Sequence, residues 1–230
     1  MALRLSASAL LLLSLAGLAF WPGYLSRIQA ADRYTHAHAI LGTSWLLLLV
    51  VQPWLVKISR RSWHRRVGRI GLLVGASFFV SGVLMAHRSL ARMTPEQFSR
   101  EGRFVYLPLA MAGIFALALL MAVAWRSAPA IHGRFMAATA LPLLDPLLAR
   151  LVYFYAPPLP AESLHQVPAF LLVGAILFWM SASLPDTARG RDALRHFSWT
   201  VVALLLGFFI VPHAAGWDSF TSWFRALPIS

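Results

Sequence analysis

The sequence predicts an all-α membrane protein, a single polytopic helix bundle that occupies residues 1–230 and has seven transmembrane helices. Of the 230 residues, 59% are hydrophobic and only 12% are charged, and the mean hydropathy is +0.69. Water-soluble domains of this length do not combine these values. Apolar stretches of about 20 residues, the length that crosses a bilayer as a helix, recur between short polar segments. Membrane β-strands would be about 10 residues long and would alternate in polarity.

The apolar stretches set the predicted spans. We place them near 5–25, 36–56, 70–90, 104–125, 134–155, 164–184 and 197–216. The first stretch, which follows Arg4, can also be interpreted as a signal peptide cut after Ala30, which would leave six spans. We favour an uncleaved anchor, because its apolar core is long and the residues before Ala30 are a poor cleavage site.

The charge pattern predicts lipid contact and an orientation. The formal net charge is +12, but the arginines lie in short segments beside apolar stretches, where they suit anionic lipid headgroups better than nucleic acid. With the N-terminus inside, the cytoplasmic segments carry Arg4, Lys57, Arg60, Arg61, Arg65, Arg66, Arg69, Arg126, Arg134, Arg189, Arg191 and Arg195. The outer segments carry fewer: Arg27, Arg33, Arg88, Arg92, Arg100, Arg103 and Arg225. We therefore predict a bacterial-type inner membrane protein with a cytoplasmic N-terminus and an external C-terminus.

The residues that are missing limit the chemistry. The chain has no cysteine, which excludes disulfides, iron–sulfur clusters and a thiolate haem ligand, so metal binding would depend on His, Asp, Glu and Met. It also has no Walker-type phosphate loop, dinucleotide fingerprint, Gly-x-Ser-x-Gly elbow or HExxH motif. ATPase, soluble dehydrogenase and zincin protease functions are therefore disfavoured.

Two outer segments are typical of helices that lie on the membrane surface. Thr94 is followed by Pro95 and Gln97, which predicts a helix start with a capping box. Asp218 is predicted to cap a second short helix with an apolar face suited to the membrane interface. That face is formed by Trp217, Phe220, Trp223 and Phe224.

On the predicted topology the eight histidines fall into two layers. Those toward the outer ends of the spans are His36, His38, His87, His165 and His213; those toward the inner ends are His64, His132 and His196. Histidine tolerates a membrane interface, so the layering can be purely structural. It also suits b-type haem, which two imidazoles hold near each face. His196 and His213 are separated by about 25 Å along a helix, a spacing that suits two different haems.

A run within residues 36–75 carries a family resemblance. It reads His38-Ala-Ile-Leu-Gly42, Gln52-Pro53, Arg60-Arg61 and His64-Arg-Arg-Val-Gly68. It resembles cytochrome b561-like membrane proteins, and also uncharacterised bacterial multi-helix membrane families. The first resemblance implies haem b with His38 and His64 as ligands, and glycines that admit a porphyrin edge. The candidate partner ligands are His132, His165, His196 and His213.

The outer end offers a second possible site. His36 and His38 point about 200° apart on a regular helix, so we expect His38 to face the bundle and His36 to face headgroups. Glu162 and His165 have the i, i+3 spacing of di-iron bundle ligands, although a solvated helix start has the same pattern. Together with Asp32 and Asp218, these residues could hold iron, copper or zinc.

Asp145 lies near the middle of the fifth predicted span, between Pro142 and Pro146. The Asp-Pro pair predicts an N-cap and the start of a new helical segment at this point. Asp145 could then carry a proton or contact a substrate, or it could cap the kink with an arginine as counter-ion. Arg88 and Arg150 are the candidate partners, and in a cytochrome they could clamp the haem propionates.

Three functions remain open from the sequence. The preferred one is a membrane b-type cytochrome-like redox component that moves electrons between the two faces, with a quinone or another redox protein as partner and Asp145 accompanying the electron with a proton. The first alternative is a non-haem metal-dependent enzyme acting on a lipophilic substrate at the outer rim. The second is a transporter, or a structural subunit of a membrane complex, centred on Asp145.

Overall fold

The computed structural model describes residues 2–156, 167–182 and 188–229, and these residues form helices and turns without any strand. The helices are α1 (Ala2–Phe20), α2 (Arg33–Lys57), α3 (Arg61–Ala91), α4 (Pro95–Glu101), α5 (Tyr106–Ala124), α6 (Pro129–Ala138), α7 (Leu141–Tyr155), α8 (Val167–Ala182), α9 (Ala188–Gly207) and α10 (Trp217–Ala226). Short 3-10 helices occupy Leu25–Ala30, Gly102–Val105 and Val211–His213. The all-α prediction is confirmed.

Within the described ranges, five helical stretches are long and apolar enough to cross a membrane: Arg33–Lys57, Arg61–Ala91, Pro95–Ala124, Pro129–Tyr155 and Ala188–His213. Leu5–Phe20 and Val167–Met180 are shorter apolar helices. Large apolar side chains on the outside of the bundle are exposed, among them Leu73 at 71% and Phe178 at 77%. These helices define a multi-pass membrane protein whose surface suits lipid contact; the seven-span count stays a prediction.

Two long helices begin earlier than the apolar pattern predicts. Helix α3 starts at Arg61 rather than near residue 70, and α9 starts at Ala188 rather than near residue 197. Arginine is a good helix former, and its long side chain can reach headgroups from within a helix, so these basic segments need not be loops. At its other end α9 stops at Gly207, and His213 lies beyond it in a separate 3-10 helix.

Helix α5 lies at the centre of the bundle and contacts α3, α6, α7 and α9. Helices α1, α2 and α3 pack side by side, and α7 contacts α1 and α8. Because successive helices run up and down, the bundle has two ends, which we name after Asp32 and His64. At the Asp32 end, α2 and α5 begin and α3 and α7 finish; at the His64 end, α3, α6 and α9 begin.

The bundle has two main cores. The first lies among α5, α6, α8 and α9 and is apolar; it includes Ile114, Phe135, Leu177, Leu194 and Val201. The second lies among α1, α2, α5 and α7 and includes Trp45, Leu46, Phe115 and Leu147. Because lipid tails are as apolar as these side chains, close packing and hydrogen bonds hold such helices together.

Close packing is tightest where α3 crosses α2 and α5. A Cβ atom on Gly75 would lie 2.8 Å from Trp45 and 2.9 Å from Leu119. Real Cβ atoms do not approach other atoms so closely. Glycine at position 75 therefore sets the separation of the three helices.

The two predicted surface helices are present at the Asp32 end. The capping box of α4 is confirmed, with Thr94 and Gln97 each bonding to the other's backbone N–H. The predicted cap of α10 is wrong: its N-cap is Gly216, at φ +90°, and Asp218 lies inside the first turn without a capping hydrogen bond. Glycine adopts this left-handed conformation without strain, so the chain turns into α10 at Gly216 and the helix begins two residues before the predicted start.

Candidate functional site

A stripe of polar side chains follows the buried face of α2. His38, Trp45 and Gln52 are spaced by seven residues, so they lie on nearly the same helical face. At 1.5 Å per residue the stripe is about 21 Å long, which is most of the hydrocarbon thickness. Each member bonds to a side chain outside α2, and the partners are Ser81, Thr139 and His64.

At one end of the stripe, His38 Nδ1 lies 2.9 Å from Ser81 Oγ. The Ser81 hydroxyl donates its single proton to the Phe78 carbonyl at 2.8 Å, so His38 Nδ1–H is the donor in the first bond. His38 Nε2 therefore keeps its lone pair. The Phe78 ring stacks on His38 with 4.9 Å between centroids, and it lies 3.0 Å from where a Gly42 Cβ would stand. The space that the family resemblance assigns to a porphyrin edge is filled by Phe78.

At the other end of the stripe, the amide of the buried Gln52 forms hydrogen bonds through both its oxygen and its nitrogen in only one of its two orientations. Its oxygen then accepts from Gly68 N–H at 2.9 Å, and its nitrogen donates to His64 Nδ1. His64 consequently carries its ring proton on Nε2. His132 lies close enough to His64 to act on it electrostatically, and its own Nδ1–H donates to the Ala122 carbonyl at 2.8 Å.

Trp45 and Thr139 form the middle of the stripe. Trp45 Nε1–H donates to Thr139 Oγ1 at 3.1 Å, and both side chains are buried. Thr139 lies between α6 and α7, where the span Pro129–Tyr155 is interrupted. Its hydroxyl donates in turn to the Met136 carbonyl. The hydrogen bond therefore ties α2 to the interruption.

The interruption is not where the sequence predicts it. Helix α6 ends at Ala138 and α7 starts at Leu141, so Asp145 is inside α7, and its predicted role as an N-cap is wrong. Pro142 lies in the first turn of α7, where backbone N–H groups have no intrahelical partner, so proline costs little there. Pro146 is accommodated inside the helix.

Asp145 is 6% exposed, and its Oδ1 has no hydrogen-bond partner among the described residues. Arg150 acts on Asp145 electrostatically, but its guanidinium donates to the Pro146 carbonyl at 2.9 Å and lies 4.6 Å from the Phe20 ring. The same Arg150 also acts on His38. A bare carboxylate in an apolar membrane interior costs several kcal/mol, so Asp145 is an unusual group to bury.

The carboxylate of Asp32, the N-cap of α2, has hydrogen-bond and ion-pair partners on both of its oxygens. It accepts from the Thr35 backbone N–H at 2.9 Å, from Arg88 Nε at 2.9 Å and from Arg92 at 2.7 Å. The Thr35 N–H, with the Arg88 guanidinium, holds the pKa of Asp32 well below its usual range. Arg88 also lies 4.5 Å over the Tyr34 ring. The arginine predicted as a clamp or as a partner of Asp145 is therefore paired with Asp32.

The remaining histidines are dispersed. His36 Nδ1 bonds to the Tyr24 hydroxyl at 2.9 Å, and His87 Nε2–H donates to the Leu227 carbonyl at 3.1 Å. His196 is exposed on α9, and its Nδ1–H donates to the Asp192 carbonyl. His213 is exposed near Asp218, whereas His165 and Glu162 lie outside the described residues. Over the described ranges, no three His, Asp or Glu side chains group together as a metal site would require.

Two site residues escaped the sequence analysis. Ser81 and Thr139 look unremarkable in the sequence because each lies in an apolar segment without a motif. Their partners His38 and Trp45 are 43 and 94 residues away. The seven-residue spacing of His38, Trp45 and Gln52 was the available signal, because it places three polar-capable side chains on one face of an apolar helix.

The chain matches no family model, and no curated protein or solved structure shows significant similarity to it. The fold defines a class, the multi-pass helical membrane protein, with a bonded polar stripe and an unpaired carboxyl group inside the bundle. The resemblance of residues 36–75 to cytochrome b561-like proteins stays a prediction.

Proposed function

We propose that the protein is a proton-linked transporter whose working group is Asp145. The observation that carries the proposal is the bare Oδ1 of this residue, because among the described residues only this atom and Trp217 Nε1 are buried side-chain polar atoms without a hydrogen-bond partner. Burying such a group without a partner lowers the stability of the fold, so a functional reason for its presence is expected. A carboxyl that binds and releases a proton needs a free oxygen, which Oδ1 supplies. Interrupted spans beside a polar group are a common design of transporters.

The proton step involves one carboxyl group and water. In the closed bundle Asp145 holds the proton on its carboxyl group, which removes the cost of a buried negative charge. When the bundle opens and water reaches Oδ1, the O–H bond breaks and the proton passes to water. Arg150, which already acts on Asp145, stabilises the anion until another proton binds.

The interruption between α6 and α7 supplies the place where the bundle can move. The Ala138-to-Leu141 turn lies on the same span as Asp145, and the Trp45–Thr139 bond connects it to α2. In this proposal α1 and α8 complete seven spans, and the basic His64 end faces the cytoplasm of a bacterial-type inner membrane. A small movement of α7 would then change which end has access to Asp145.

Proton flux into proteoliposomes tests the proposal. A pH-sensitive dye inside the vesicles reports flux under an imposed proton gradient, with and without the small-molecule fraction of a cell extract as a source of substrate. We expect wild-type protein to carry protons faster than empty vesicles and Asp145→Asn to fall to the empty-vesicle rate. Asp192→Asn, which changes an exposed aspartate at the His64 end, is the matched control. Equal flux for wild type and Asp145→Asn contradicts the proposal, as does wild-type flux no faster than that of empty vesicles.

The second candidate is the b-type cytochrome. Two histidines support it, because His38 and His132 both use Nδ1–H as a donor and leave Nε2 free, which is the tautomer of an axial ligand. They also lie at opposite ends of the bundle, as ligands of two haems would. The filled space at Gly42 and the Nε2–H tautomer of His64 do not fit haem in this arrangement. We therefore derive no step through haem.

An absorption spectrum of detergent-purified protein separates the two candidates. Expression with added haem, followed by oxidised and dithionite-reduced spectra, gives an intense Soret band if haem is bound. Elemental analysis for iron, copper and zinc on the same sample tests the outer-rim metal enzyme. A Soret band that disappears in His38→Ala supports the cytochrome; a colourless, metal-free sample excludes both redox functions.

A further inference from the structure

A polar cleft opens at the Asp32 end, away from Asp145 and from the α2 stripe. It lies between α4 with its following 3-10 helix on one side and the segment from His213 into α10 on the other. Its volume is about 510 Å³, which is within the usual size range of small-molecule sites. The side chains that give the cleft its chemistry are Arg103, His213 and Asp218.

These three side chains are held apart and unpaired. Within the described part of the chain, none of them makes a side-chain hydrogen bond or an ion pair, although the Arg103 guanidinium lies over the Phe104 ring at 5.1 Å. Arg103 and Asp218 thus line the same cleft without forming an ion pair with each other.

The walls of the cleft are fixed by buried contacts. Thr221 is 2% exposed, and its hydroxyl donates to the Asp218 backbone carbonyl at 3.1 Å, which fixes the first turn of α10. A Cβ atom on Gly102 would lie 3.0 Å from the Phe98 ring, so glycine lets this ring pack closely against the opposite wall. On the α3–α4 side, Arg225 donates to the Met93 carbonyl at 2.6 Å and ties α10 down. The cleft is therefore built into the fold.

We propose that this cleft binds a compact zwitterion, in which an oxyanion and a primary ammonium are joined by a short chain. The oxyanion pairs with the Arg103 guanidinium, with His213 as a further donor, and the ammonium pairs with the Asp218 carboxylate. A divalent cation is a poorer fit, because the guanidinium repels it. The exposed Trp223 on α10 places the cleft beside the membrane interface, where the headgroup of phosphatidylethanolamine has this chemistry.

Lipid-binding measurements test the site in the full-length protein. Native mass spectrometry of the purified protein compares retention of phosphatidylethanolamine with that of phosphatidylglycerol, which has no ammonium group. Isothermal titration with phosphoethanolamine tests the same chemistry in a free solute. We expect wild-type protein to prefer the ethanolamine lipid, and Asp218→Asn to lose about tenfold in affinity for it.

Matched variants separate the cleft from general charge effects. Arg103→Gln should weaken both lipids, whereas Arg100→Gln, an exposed change on α4 outside the cleft, should weaken neither. Thermal unfolding midpoints establish that each variant is folded. Binding of the lipid alone identifies a headgroup site, and binding of phosphoethanolamine as well identifies a site for free zwitterions; both support the inference. Equal retention of the two lipids by wild type, or unchanged binding in both Asp218→Asn and Arg103→Gln, overturns it.

Discussion

Asp32 and Asp145 are two aspartates in opposite situations. Asp32 accepts hydrogen bonds from a backbone N–H, a hydroxyl and two arginines at the start of α2. Asp145 is more deeply buried, yet its Oδ1 has no partner among the residues described. The first carboxylate stabilises the end of the bundle, and the second costs stability where it stands. The difference teaches where to look for function, because a group that does not stabilise the fold needs another reason to be there.

The largest expected effect comes from removing the unpaired carboxyl. Asp145→Asn should reduce proton flux by about tenfold or more, since the amide cannot bind and release a proton. It should not lower the thermal unfolding midpoint, because Asn has a similar volume and Asp145 makes no ion pair with any described residue that the change would break. Flux and unfolding measured on one preparation check both parts. A large loss of stability would show that Asp145 is a structural residue.

Removing the paired carboxylate should have the opposite outcome. Asp32→Ala should lower the free energy of unfolding by about 2 kcal/mol, because it removes a helix N-cap and leaves Arg88 without its acceptor. Proton flux per folded molecule should be unchanged. The control is Asp192→Ala, which removes an exposed pair with Arg195 at 4.0 Å and should cost well under 1 kcal/mol. Equal effects of the two alanine variants would contradict the comparison.

Acid should remove the Asp32 contribution selectively. The pKa of this carboxyl is lowered in the folded protein from its usual 3.8, so its stabilisation is fully present above that value. The stabilisation is lost as the pH falls through the lower folded-state pKa. The difference in unfolding midpoint between wild type and Asp32→Asn should therefore shrink below about pH 4. A difference that stays constant across a pH series would show that charge is not its source.

The smallest expected effect concerns a bonded polar pair inside the bundle. Thr139→Val removes the acceptor of Trp45 Nε1–H and should cost about 0.6–1 kcal/mol, the usual worth of a hydrogen bond between membrane helices. Thr200→Val, at an exposed hydroxyl that bonds only within α9, is the control and should cost less. Detergent unfolding midpoints measure both. If the two variants behave alike, the α2 stripe adds no stability at this point.

The fold class could be predicted from the sequence because the membrane makes backbone hydrogen bonding obligatory inside each helix. Local signals also succeeded at the capping box of Thr94. They failed at Asp145, because Pro142 and Pro146 suggested that a helix starts there. In the structure α7 already starts at Leu141 and accommodates Pro146 in its interior. The start of α3 at Arg61 was also missed. An apolar pattern indicates which residues lie in lipid, and it does not show where a helix begins when its first turns are basic.

Only part of the candidate site could be predicted from the sequence. Asp145 stands out in the sequence as the one acidic residue deep in a predicted apolar span, but the missing hydrogen-bond partner of its Oδ1 was not predicted. The pairings could not be predicted, because Ser81 and Thr139 reach their partners through contacts between distant parts of the chain. Histidine tautomers, which decide whether His38 or His64 could bind a metal, depend on those same contacts.

The α2 stripe has a consequence for how the protein enters the membrane during synthesis. Helix α2 inserted alone would expose His38, Trp45 and Gln52 to lipid, which is costly for each unbonded polar group. The partners of His38 and Gln52 both lie in α3, the next helix to emerge from the ribosome. Helices α2 and α3 can therefore satisfy each other as a hairpin before the rest of the chain exists. Trp45 alone must wait for Thr139, so its bond forms only after the span Pro129–Tyr155 has been made.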